Sequence, residues 1–493
     1  MARFPREYAR ARSAAPFFFA ALLALGACGS SSSAPNDAGP SNEAGSDLPG
    51  GEAFVPPPPA IDKAQVDTLV KPIIDGKWTV GLIVGVVGET GRSVYAYGTV
   101  SKTSSEVPNG KTIFEIGSIT KTFTSVLLAK QVGDGRVQLG QPVKELLTGL
   151  ATIPEKNGKP ITLEHLATHM SGLPRLPTNM VPKDAANPYV DYTTSQLYTF
   201  LSGYTLPREP SSKFEYSNLA VGLLGHALSL EAKKSYDALV ADSITLPLAM
   251  VDTSRVLSTA QQARTAQGHN GDLSPTTLWN FDVLAPAGAL RSTLDDMLSY
   301  VSAHALASGS RLGAAMKLTH EPRISRATGG HLGLSWFIDD GRYIWHNGGT
   351  GGFGTFAGFD KQTKRGIVVL SNTISTVYSP ETQLGLALLK LAGGESPGAL
   401  LLPPDVPVAS AKLDAYAGNY KGTQLSLVIE RQGDALWLVL TEQPKYHLYA
   451  KSETSFYLRV APVTILFAED GKGGVSMVFT QNGIGTFNLQ KVP

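Results

Sequence analysis

Phe114-Glu-Ile-Gly117-Ser118-Ile-Thr-Lys121-Thr-Phe-Thr-Ser125 is the stretch on which the reading of this chain turns. Phe114 to Ile116 reads as the end of a strand, Gly117 breaks it, and Ser118 opens an apolar helix running from Ile119 to Gln131. Positions i and i+3 share a helix face, so the Ser118 hydroxyl meets the Lys121 amine at the helix mouth. The first N–H groups of that helix lack internal partners and point at any anion formed there. This is the only Ser-x-x-Lys in the chain. About one match is expected by chance, so its weight comes from the strand–glycine–helix context.

A serine nucleophile needs a base, and lysine, with a free pKa of about 10.4, becomes one only when desolvation or a nearby cation lowers it. A second group must pass a proton to the leaving atom. Tyr216-Ser217-Asn218, the only Tyr-x-Asn, directly precedes a helical run from Leu219 to Leu230. It offers Tyr216 as shuttle and Asn218 as an amide contact or a partner of Lys121. Trp345-His346-Asn347-Gly348-Gly349 ends a strand and enters a glycine-rich stretch. A strand there can lend a backbone N–H as a second oxyanion donor.

In order and spacing these segments resemble the class C β-lactamase branch of the serine penicillin-recognising enzymes. That branch includes D-Ala-D-Ala carboxypeptidases and family VIII-type esterases. Leu166-Ala-Thr-His-Met-Ser-Gly-Leu-Pro-Arg-Leu-Pro177 resembles a further stretch common in the group. The resemblance implies Ser118 as acylated nucleophile, Lys121 and Tyr216 as acid/base pair, and Asn218 and His346 as substrate contacts. It also implies an oxyanion hole from the N–H groups of Ser118 and Gly349, beside Gly348. Class C β-lactamases carry Lys-Thr-Gly where this chain has His346-Asn347-Gly348. A histidine is only partly charged at neutral pH, so capture of a substrate carboxylate should be weaker and small esters favoured.

Around this core the chain divides by texture. Its 493 residues exceed the size at which one hydrophobic core stops growing, so more than one domain is expected. Residues 1–28 read as a lipoprotein signal: arginines first, then an apolar run Ala15–Leu25, then Leu25-Gly-Ala-Cys28 with the only cysteine at the cleavage point. Acylation of Cys28 would anchor an exported protein to the membrane, facing the periplasm. Residues 29–60 are a Ser/Gly/Pro-rich disordered tether. Residues 61–395 read as an α+β hydrolase domain with strands at both ends and helices between, so that one sheet joins the two ends. The resemblance implies that this is an antiparallel sheet flanked by helices, with an all-helical subdomain. A linker follows at 396–410, rich in proline. Residues 411–493 alternate apolar and polar positions between turn signals, as in a small antiparallel β barrel, and resemble the lipocalin-like domain appended to such hydrolases.

Composition narrows the partners. The net charge is +1, which argues against a nucleic-acid partner. The single cysteine excludes an intramolecular disulfide and a thiolate metal site. Gly349-Thr-Gly351-Gly-Phe-Gly354 matches a dinucleotide fingerprint, but the following residues read as a hairpin rather than the required helix. His165 and His169 stand four apart without the glutamate of a zinc motif, and capping or packing suits them better. No cofactor and no metal are called for. The expected partner is a small-molecule or peptidoglycan-peptide substrate. The competing reading is a non-catalytic penicillin-recognising sensor lipoprotein, against which intact Ser118, Lys121 and Tyr216 argue. The oligomeric state is not readable.

Overall fold

The computed structural model describes residues 61–89 and 91–493. The signal segment, Cys28 and the tether up to residue 60 lie outside the described residues.

The centre of the large domain is an eight-stranded antiparallel sheet. Its strands, with one separate pair, are β1 (Gly81–Gly88), β2 (Gly91–Gly98), β3 (Ile113–Glu115), β4 (Arg291–Thr293), β5 (Ile324–Ser325), β6 (His331–Leu332), β7 (Phe337–Asp339), β8 (Tyr343–Gly349), β9 (Gly354–Asp360) and β10 (Gly366–Ser371). The order across the sheet is β2-β1-β10-β9-β8-β7-β6-β5, with β3 paired to β4 apart from it. The expected joining of the two ends is the β1–β10 ladder, which runs from Leu82 opposite Ser371 to Val87 opposite Gly366.

β1 reads as an unbroken apolar run because both faces are covered. Ile83 and Val87 enter the core shared with the helices Thr120–Gly133, Asn218–Ala232 and Leu294–Ala305. Leu82, Val84 and Val86 turn the other way, onto Val66, Leu69 and Val70 of the helix Lys63–Asp75 and Leu384 and Leu388 of the helix Pro380–Ala392. The first of these helices starts at an Asp62/Gln65 capping box, and its buried residues Val66, Leu69, Val70 and Ile73 form one stripe. Among the described residues no helix is long and apolar enough to cross a membrane.

The helix Leu294–Ala305 follows directly on Arg291–Thr293, which forms the ladder with β3. The linker expected to run to 410 gives way to a helix at Ser410–Tyr416, whose Leu413 and Tyr416 close the end of the barrel core. Beyond it, eight strands from Gly418–Lys421 to Gly485–Val492 form a closed antiparallel barrel. The first and last strands pair at Asn419–Val492, so no edge is left open. Val463–Glu469 shows the alternation that marked this region, with Val463, Ile465 and Phe467 inside and their neighbours outside.

The barrel is fastened to the large domain by Arg459, one of the most deeply buried side chains. Its guanidinium lies 3.9 Å from the Trp78 ring centroid and 3.8 Å from that of Tyr449. It also donates to the carbonyls of Lys77 (2.8 Å) and Gly76 (3.0 Å).

Candidate active site

Ser118 sits in a single 3-10 turn, Gly117–Ile119, that continues into the helix Thr120–Gly133. Gly117 adopts φ +50°, a left-handed conformation that favours glycine. A Cβ there would stand 2.7 Å from Gly349 N and 2.8 Å from its carbonyl oxygen. A Cβ on Gly348 would stand 2.0 Å from the Ile116 carbonyl. The two glycines therefore let the nucleophile turn and the end of β8 touch backbone to backbone.

Lys121 is fully buried one turn later. Its Nζ is hydrogen-bonded to Ser118 Oγ at 2.9 Å and donates to the Ala287 carbonyl at 2.6 Å. Burial, with the positive charge of Arg175 second, pushes its pKa well below the usual lysine range. The shift favours the neutral amine, the form that can take a proton from the serine hydroxyl. The Tyr216 ring lies 4.9 Å from Lys121 Nζ. Burial raises its pKa to about 12, and a hydrogen bond with Ser118 opposes that rise. The phenol therefore keeps its proton at neutral pH. The sites differ in protonation because one holds an amine and the other a phenol: desolvation favours the neutral form of each.

Ser118 and Tyr216 line one cavity with Gly348, Gly349, Arg175, Asn347 and Glu381. A larger cleft bounded by Asp184, Gln267 and Asn280 contains none of the sequence-predicted residues.

Two sequence-predicted contacts sit differently from expectation. Asn218 Nδ2 donates to the Tyr189 hydroxyl at 2.9 Å, while the hydrogen-bond partners of Lys121 are Ser118 and Ala287. Asn218 Oδ1 is buried without a partner. His346 is 1% exposed and does not line the cavity. Its ring stands 5.3 Å from Phe337 and 6.3 Å from Tyr216. Burial, then the nearby Lys121, lowers its pKa to about 3. It is therefore neutral across the physiological range, rather than partly charged as a free imidazole would be. The neighbouring Asn347, which does face the cavity, donates to Thr382 Oγ1 at 3.1 Å.

The other histidines take local roles. His165 Nδ1 accepts from Thr162 N in a helix cap, and His169 packs 4.4 Å from the Tyr216 ring. The glycine-rich Gly349–Gly354 segment leads into β9, which pairs antiparallel with β10.

Sequence reasoning missed Arg175 and Glu381. Arg175 lies inside the quoted Leu-Pro-Arg-Leu-Pro stretch, and its guanidinium stands 5.2 Å from the Tyr216 ring centroid. Glu381 lies in the first turn of the helix Pro380–Ala392, where an acidic residue is ordinary. It is 4% exposed, and burial raises its pKa to about 8.

Comparison with known proteins places this geometry. The family model described as Beta-lactamase matches residues 66–389. The chain belongs to the Beta-lactamase family. Within that family it is 31% identical over 324 residues to the D-alanyl-D-alanine-carboxypeptidase/endopeptidase AmpH of Escherichia coli, covering 62% of this chain and 82% of that protein. It is 28% identical over 243 residues to a β-lactamase of Providencia stuartii, covering 49% and 60% of the two chains. A β-lactamase/D-alanine carboxypeptidase of Yersinia pestis has the same fold over 67% of this chain and 99% of its own, with TM-score 0.58 and 24% identity. An octameric penicillin-binding protein homologue from Pyrococcus abyssi matches 87% of this chain and all of its own, with TM-score 0.60 and 20% identity. That coverage is wider than the span of the family model, so the likeness in fold to that protein extends beyond residue 389.

Proposed function

We propose that this chain is a serine hydrolase that works through an acyl-enzyme on Ser118. It would cleave amide or ester bonds in D-Ala-D-Ala-type peptides, β-lactams or small esters. The observation that carries the reading is the buried contact of Lys121 Nζ with Ser118 Oγ at 2.9 Å, with Tyr216 beside it. A site retired from this chemistry would be free to lose any of Ser118, Lys121 and Tyr216.

The steps follow from the protonation states. Ser118 Oγ attacks the carbonyl carbon while its proton moves to neutral Lys121. The N–H groups of Ser118 and Gly349 face the developing oxyanion. The bond to the leaving nitrogen or oxygen breaks as protonated Tyr216 gives that atom a proton, and the proton on Lys121 restores the phenol. Water then attacks the ester carbon, a proton passes back to Oγ, and the acid is released.

Ser118→Ala should abolish labelling by a fluorescent penicillin and a fluorophosphonate while the fold persists. Lys121→Ala should lose about 10² to 10⁴-fold in turnover. Labelling that survives in Ser118→Ala, or maps to Ser171, refutes the assignment. We further propose that the protein is exported and held by a lipid on Cys28. Cys28→Ala should then leave the membrane fraction with its activity intact, and a variant that still pellets with membranes overturns this.

A further inference from the structure

We infer that Arg175 is the anion-recognising residue of this site, seating a carboxylate carried by the ester or amide substrate. The inference rests on the hydrolase reading above.

The first observation is the state of Arg175. Among the described residues it has no ion pair and no side-chain hydrogen bond, and its one assigned contact is the face of Tyr216 at 5.2 Å. Other arginines are committed to carboxylates: Arg208 to Glu215, Arg291 to Glu115, Arg323 to Glu164. A half-buried guanidinium without an anion bears a desolvation cost that a bound carboxylate would offset, and its planar fork suits a carboxylate.

The second observation is that its backbone is held in place. The Arg175 carbonyl accepts from the N–H groups of Asn218 (3.0 Å) and Leu219 (3.2 Å), and Ser217 Oγ donates to the Pro174 carbonyl at 2.7 Å. The loop is thus tied to the segment that carries Tyr216, which sets where the Arg175 side chain starts relative to the reacting groups.

The third is the charge of everything else around it. Lys121, 4.9 Å from the Tyr216 ring, is driven towards its neutral form by burial. His169 and His346, whose rings also stand near Tyr216, are held neutral for the same reason. Glu381, which lines the same cavity, is kept protonated at neutral pH by burial. Among the described residues lining this cavity, Arg175 is therefore the one charged side chain near pH 7.

A carboxylate could belong to the acyl half or the leaving half of the substrate, and three matched esters separate these. Phenyl acetate is neutral, monophenyl glutarate is charged on the acyl half, and 3-carboxyphenyl acetate is charged on the leaving half. For Arg175→Gln, kcat/KM should fall about 10- to 100-fold on one charged ester, the worth of one charge-assisted contact. Phenyl acetate carries whatever the lost charge does to Lys121 and Tyr216, so the fall is read relative to that neutral ester, and Arg175→Lys should lie between wild type and Arg175→Gln. The thermal midpoints and circular dichroism of both variants establish that they fold.

Equal losses on all three esters would show that Arg175 acts through Lys121 and Tyr216, and would overturn the inference. So would charged esters that lose nothing. A wild type inert towards all three, or a Ser118→Ala variant as active as wild type, strikes instead at the hydrolase reading.

Discussion

Gly117→Ala tests whether the site depends on the close approach of two backbones. Alanine at φ +50° must adopt a left-handed conformation, which costs about 1–2 kcal/mol. Its methyl would also stand 2.7 Å from Gly349 N, 2.8 Å from its oxygen and 3.0 Å from its carbonyl carbon. All three are backbone atoms with no rotamer to change. An ordinary contact begins near 3.4 Å, so the end of β8 must retreat by roughly 0.7 Å, more than the ~0.5 Å tolerance of a catalytic constellation. The group displaced is the N–H proposed as second oxyanion donor. Losing one such donor costs about 10² to 10³ in kcat. Gly133→Ala is the control: it lies in the same helix, and its Cβ would meet nothing within 4 Å. It should be neutral or slightly stabilising. The assay is kcat on phenyl acetate together with the thermal midpoint. A Gly117→Ala enzyme with kcat within about threefold of wild type would refute the argument, because the donor would then not need its present position.

Other outcomes follow from the same geometry. Glu381 keeps its proton in the folded state up to about pH 8, whereas the unfolded chain gives it up near 4.5. The folded form therefore binds more protons within that window, and this group's contribution to stability falls as pH rises from 4.5 to 8. Glu381→Gln should flatten that part of the denaturant-midpoint profile, and an unchanged slope would count against it. His346 is neutral above about pH 3, so His346→Asn should leave the shape of the kcat/KM profile unchanged between about pH 5.5 and 7.5. An inflection present in wild type and lost in the variant would show a titrating imidazole. Arg459→Ala removes two charge-assisted hydrogen bonds and the contacts with Trp78 and Tyr449. It should cost about 3–5 kcal/mol and expose the segment near residue 400 to limited proteolysis, and an unchanged digestion pattern would refute this.

The parts of this molecule that were legible in the sequence are those where a local pattern changes. Gly117 interrupts an apolar run and hands it to a helix, so Ser118 and Lys121 could be placed on one helical face without knowing the fold. The barrel announced itself through period-two alternation. Tyr216 was found because it precedes a helix. Its distance to Lys121, across 95 residues of chain, was supplied by the resemblance and not by any spacing. Charge states were less readable. His346 looks like a half-charged imidazole in sequence, yet burial between Phe337 and Tyr216 makes it neutral. Arg175 and Glu381 gave no signal, because an arginine in a proline-rich loop and a glutamate in a first turn are both common on surfaces.

The barrel carries the same lesson one level up. Its alternating strands say that it closes on itself, and nothing in them says what it touches. The wall of the cavity includes Ile374, Thr376 and Ser379, which lie between β10 and the helix Pro380–Ala392. Ser375 Oγ donates to the Arg459 carbonyl and Thr376 Oγ1 to the Val460 carbonyl, each at 3.1 Å. The same barrel loop presses its Arg459 guanidinium onto Trp78, at the entry to β1. A module with none of the sequence-predicted site residues thus holds the segment that forms one side of the site. Backbone carbonyls accept those bonds, and a carbonyl has no sequence signature. The link between barrel and site could be recognised only once both were folded.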